Sequence, residues 1–112
     1  GLEGGLTVTD EIYIKSNNFE ANVLPLMRSD YDYVSSNFTA PPMAPAEQQE
    51  GWTHPGGSNL VVWANAAENS PVVASDIGDS PGAFENTGFR RLLKNALQWV
   101  ASDEARQWAR QQ

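Results

Sequence analysis

The chain has no cysteine, so it can form no disulfide, no thiolate metal site and no cysteine nucleophile of its own. That absence does not choose between cytoplasm and periplasm. Histidine is almost as scarce: His54 is the only imidazole, so a Ser-His-Asp triad within this chain would have to use it. Positive charge is also thin, with 7 Lys and Arg against 14 Asp and Glu and a net charge of −7. A surface so poor in cations does not track a phosphate backbone, so nucleic acid is not an expected partner, and no basic cluster marks an anionic membrane. Apolar runs stay well short of the roughly 18 residues that span a bilayer. There is no internal repeat and no low-complexity tract.

What is present fits one small domain, or part of a larger one, in 112 residues. Four Trp, three Tyr and four Phe supply large side chains to bury. Leu6–Ile14 alternates loosely and reads as a short strand running into a turn. Val23–Met27 is apolar but holds Pro25, which places it at a sheet edge. Residues 31–57 carry four prolines and several aromatics, the composition of a long, packed binding loop.

Leu60-Val61-Val62-Trp63 and Val72-Val73-Ala74 read as two strands, with Ala66–Ser70 as the loop of a hairpin. Their continuous apolar runs predict burial on both faces, as in a sheet covered by helices. From Thr87 to Ala101, Phe89, Leu92, Leu93, Ala96, Leu97 and Val100 recur at spacings of three and four, which predicts an amphipathic helix capped by Asn86 or Thr87. Ser102, with Asp103 and Glu104 behind it, opens a short terminal helix whose Trp108 can fold back onto the body. The fold class is α/β.

Five residues stand out as ligand-binding candidates. Asp79 follows Gly78 at the end of an inferred strand, where α/β folds place ligands; the alternative is a turn in which its carboxylate bonds backbone N–H groups. Ser80 is either a neighbour in that site or a cap of the turn. Asp10, beside Glu11, could meet sugar hydroxyls, or form a solvated turn. His54, in the Gly-rich loop 51–59, is either a site residue or a loop histidine with a structural bond. Trp52 could stack on a sugar ring, whereas Trp63 and Trp99 belong to regular elements and read as core. A metal would need carboxylates converging with His54, which the spacing does not support, and no cofactor motif is present.

Four segments together resemble the C-terminal half of ThuA-like proteins, the trehalose-utilisation family with a flavodoxin-like, class I glutamine-amidotransferase-like fold. They are Thr9-Asp10-Glu11-Ile12-Tyr13, Val61-Val62-Trp63, Ile77-Gly78-Asp79, and the run Phe84-Glu85-Asn86 to Asn95-Ala96-Leu97-Gln98-Trp99. The family usually has His after the turn glycine, where this chain has Asp79, and a Gly-Lys-Gly-Arg hairpin where this chain has Glu68-Asn69-Ser70-Pro71. The resemblance implies a protein of carbohydrate metabolism that binds or acts on a sugar or sugar derivative. It also implies that the β-α-β half bearing the family's nucleophile elbow is missing. The truncated sheet would then expose apolar edges, which leads to the expectation of a homo-oligomer. A non-catalytic assembly module that needs a second chain is the alternative, and an amidotransferase subunit would need a nucleophile from a partner.

Overall fold

The computed structural model describes residues 2–112. Its centre is a three-stranded antiparallel sheet in the order β1-β2-β3, made of β1 (Leu24–Arg28), β2 (Leu60–Ala67) and β3 (Ser70–Ser75). β2 and β3 pair in register from Val62↔Ser75 to Ala67↔Ser70. The hairpin loop is therefore tighter than the five residues expected: only Glu68 and Asn69 turn the chain, with Glu68 at φ 55°. Because both outer strands run against β2, they share a direction, and their carboxyl ends lie at the same end of the sheet.

β2 is the buried strand. Leu60, Val62 and Ala64 on one face are at most 1% exposed, and Val61 on the other face is 7% exposed, so the burial on both faces read for the two strands holds for β2 but not for the edge strand β3, whose Val72, Val73 and Ala74 are only half-buried. The edge strands each carry a proline, Pro25 and Pro71, and β2 has none. The β1 register also slips on either side of Met27. A missing N–H and a bulge both blunt an open edge against further strand pairing.

Four α-helices accompany the sheet among the described residues, α1 (Ala46–Gln49) in the long loop, α2 (Pro81–Glu85), α3 (Thr87–Val100) and α4 (Asp103–Ala109), besides two 3-10 turns at Asn17–Asn22 and Ser35–Asn37. Their starts follow the sequence. The Asn86 side chain accepts from the Phe89 N–H at 3.0 Å, and the Ser102 hydroxyl from the Ala105 N–H at 3.1 Å. Asp103 and Glu104 sit favourably at the positive end of the α4 dipole. Helix α2 has no counterpart in the sequence reading. It is one turn long, opened by Ser80 and Pro81.

Phe89, on the apolar stripe of α3, is 1% exposed and meets Phe84 edge-on at 5.4 Å. Burying such a ring contributes on the order of 3–5 kcal/mol against truncation to Ala. Ala105 and Ala109, one turn apart on α4, are buried where that helix packs on β2 and β3, and their small side chains let it approach closely. Trp108 folds back against Trp99 with ring centroids 5.2 Å apart. Trp63 and Trp99 are half-buried rather than fully enclosed.

The stretch Leu6–Ile14 is not a strand. It is a strap that pairs with no strand among the described residues, and single hydrogen bonds tie it to the body. The Asn86 amide donates to the Thr7 carbonyl at 2.7 Å, and the Ser58 N–H to the Lys15 carbonyl at 3.0 Å. The alternation of Leu6, Val8, Ile12 and Ile14 marks a segment with an inner side, but ladder pairing requires a neighbour that this segment lacks.

Candidate functional site

The turn after β3 is held from a distance. The Asp10 carboxylate accepts the N–H groups of Gly78 at 2.6 Å, Asp79 at 3.3 Å and Ser80 at 2.9 Å. Gly78, at φ 127°, takes a conformation that L side chains rarely adopt, and this turns successive N–H groups toward one anion. Burial would raise the Asp10 pKa, but the N–H groups of Gly78 and Ser80, the Ser80 hydroxyl and the Asp79 N–H outweigh it and hold the carboxyl below its usual range. Ser80 also caps α2, accepting from the Ala83 N–H at 3.3 Å.

The backbone-bonding role considered for Asp79 thus belongs to Asp10. Asp79 is exposed, and its side chain has no hydrogen-bond partner among the described residues. Asp10, Asp79 and Ser80 meet at this one turn. His54 and Trp52 lie elsewhere, in the long loop, with their rings stacked at 6.3 Å. His54 is tied locally: its N–H donates to the Ser35 hydroxyl at 2.9 Å, and Nδ1 lies 2.6 Å from the Pro55 carbonyl.

Beside the Asp10 turn, at the carboxyl ends of β1 and β3, opens a cleft of about 530 Å³. The strap forms one wall from Gly4 to Ile12, and Met27–Asp30, Val61, Asp76 and Ile77 form the other. Its volume falls within the range of small-molecule sites. Asp10 and Glu11 line it; Asp79, Ser80, His54 and Trp52 do not. Asp30, Asp76 and Arg28, which line it too, carry no motif. The available signal is their position at the strand ends, Arg28 closing β1 and Asp30 and Asp76 just beyond β1 and β3, the same signal that singles out Asp79.

Most of these charges are already partnered. Asp76 pairs with Lys15, whose ammonium also lies over the rings of Tyr33 and Trp63 at 5.9 and 5.8 Å. Arg28 pairs with Glu20 and donates to Asn59 at 3.0 Å. Glu20 also accepts from the Ser58 hydroxyl at 2.6 Å, and the Arg28 and Ser58 bonds bring its pKa down to about 2. Glu11 accepts from the Tyr13 hydroxyl at 2.7 Å, which pushes the phenol up to about 12. Asp30 alone of the lining carboxylates has no partner among the described residues. Near these groups, the Tyr33 hydroxyl is enclosed without a hydrogen-bond partner, and burial raises its pKa.

No group of three or more His, Asp or Glu side chains among the described residues is arranged to hold a metal ion. None of the helices there is long and apolar enough to cross a membrane. Fold and cleft together define a small mixed α/β domain with an antiparallel sheet and a strand-end cleft. Comparison with protein-family models, with curated proteins and with solved structures returned no match.

Proposed function

We propose that the chain is a ThuA-like domain of carbohydrate metabolism whose strand-end cleft binds, or acts on, a sugar or sugar derivative. The observation that supports this reading is a convergence. Two of the segments carrying the resemblance, Thr9–Tyr13 and Ile77–Asp79, lie far apart in sequence yet are joined by the Asp10 hydrogen bonds at the cleft. A sugar presents hydroxyls and C–H faces together. The cleft offers Asp30 and Glu11 as acceptors for the first, and Met27, Val61 and Ile77 for the second. On this reading the three strands are the antiparallel margin of a larger flavodoxin-type sheet. Titration calorimetry with trehalose and related neutral sugars tests it. Asp30→Ala should weaken binding at least about tenfold, the cost of one charged hydrogen bond. His54→Ala, outside the cleft, should leave binding unchanged. Equal affinity in Asp30→Ala and Glu11→Gln would remove the cleft from the function.

A second reading, an assembly module that packs against another copy, is favoured by the surface. The chain exposes 7684 Å², against about 6,100 Å² for a compact 12.2 kDa monomer. Its radius of gyration is 16.2 Å, against about 13 Å for a compact chain of this length. The excess of about 1,600 Å² exceeds the roughly 800 Å² per partner of an ordinary interface. Leu24, Leu26, Phe84 and Leu97 are all at least 45% exposed. Sedimentation equilibrium should then report a dimer; a monomer at micromolar concentration would rule this reading out.

A further inference from the structure

A second opening, a groove of about 630 Å³, lies between the start of β1, the hairpin end of β2 and the C-terminal helix. It shares no lining residue with the strand-end cleft. Strand β1 begins at Leu24, opposite Ala64, so Asn65, Ala66 and Ala67 pair only with β3. On the groove side this stretch of β2 has no neighbouring strand. Three residues are too few for a stable added strand, and Pro25 stands next along the edge, so an extended peptide is a poor fit.

The side chains favour a different occupant. Trp108 lines the groove, with its ring set by Trp99. Asn22, Asn65 and Gln112 supply amides, Gln112 already donating to the Trp108 carbonyl at 3.3 Å, and Glu68 is the only charged side chain. Asn65 is the telling residue. It interrupts an otherwise apolar central strand, where asparagine is disfavoured. Of the three half-buried asparagines, Asn59 and Asn86 make side-chain hydrogen bonds and Asn65 makes none among the described residues.

We infer that this groove is a binding site for a neutral saccharide. Trp108 would present an apolar surface to the C–H face of a sugar ring. The amides of Asn22, Asn65 and Gln112, each both donor and acceptor, and the Glu68 carboxylate would take its hydroxyls. With one carboxylate and no cation in the lining, an anionic or phosphorylated sugar is disfavoured.

The test is an NMR titration of the full chain with maltose and cellobiose, following the Trp108 indole and the Asn22 and Asn65 side-chain amides. The expected result is saturable shifts at these groups that Asn22→Ala and Glu68→Gln, both at exposed positions, weaken at least about tenfold without altering the rest of the spectrum. Shifts confined to Asp30 and Ile77 would overturn the inference while favouring the strand-end cleft. No shift with either sugar at about 50 mM would overturn it outright. Saturation in the groove with a silent cleft would support it and count against the proposed function instead.

Discussion

Replacing Asp10 by alanine removes one carboxylate and leaves three backbone donors without their acceptor. Two of those bonds are short, Gly78 at 2.6 Å and Ser80 at 2.9 Å, and the third, Asp79 at 3.3 Å, is weak. A hydrogen bond to a charged group contributes about 1.5–3 kcal/mol, so the two short ones amount to about 3–6 kcal/mol. Asp10 is only half-buried, and water can reach part of the freed turn, so about half of that survives as a net loss of roughly 1.5–3 kcal/mol. Against a total of about 5–15 kcal/mol for a small domain, this is a large fraction. In urea, followed by tryptophan fluorescence, the midpoint should fall by about 2 M at unchanged slope, taking m near 1–1.5 kcal/mol/M. Asp10→Asn, which keeps one oxygen acceptor, should fall in between. A loss below about 0.5 kcal/mol in Asp10→Ala, or unshifted amide resonances at Gly78 and Ser80, would refute the view that this carboxylate holds the turn.

Two further outcomes follow from the same physics. Glu20 is held down to about 2, below its ordinary value of 4.5, so its contribution to stability is fully present above about pH 5 and is lost as the pH falls from 4.5 toward 2; in Glu20→Gln this part of the acid dependence of the urea midpoint should vanish. Gly57→Ala would bring a Cβ within 2.7 Å of the Lys15 carbonyl oxygen and 2.8 Å of Ile14 Cγ1. It should cost about 1–3 kcal/mol and lower the thermal midpoint by several degrees, and an unchanged midpoint in calorimetry would contradict the close approach of loop and strap.

The elements legible in the sequence are those whose cause is local. The continuous apolar run of β2, the three-and-four spacing behind Phe89 and the cap residues Asn86 and Ser102 each lie within the element they form. Helix α2 escaped notice because one turn carries no periodicity. The strap reads as a strand because Leu6, Val8, Ile12 and Ile14 alternate as a strand would, whereas what ties it to the body are groups many residues away. The same distance explains the site. The Gly78–Asp79 turn was visible as a place where backbone donors gather, but nothing near it in sequence says that their acceptor is Asp10 rather than Asp79. Asp30 and Arg28 are readable only from their place at the end of a strand, since no spacing pattern surrounds them.

The contacts of the strap also order events in time. Asp10 reaches Gly78, Asp79 and Ser80 across 68 to 70 positions, Lys15 reaches Asp76 across 61, and Asn86 reaches Thr7 across 79. The β2–β3 hairpin, by contrast, closes over two residues. Because closing a long loop costs entropy before any contact repays it, the hairpin can form early and the strap docks after the body exists. The strap should then be the first part to lift in the native state, opening the cleft without unfolding the sheet. The Gly78 and Ser80 amides, sheltered only while Asp10 is in place, would exchange with solvent only through that opening and so report how often it is populated.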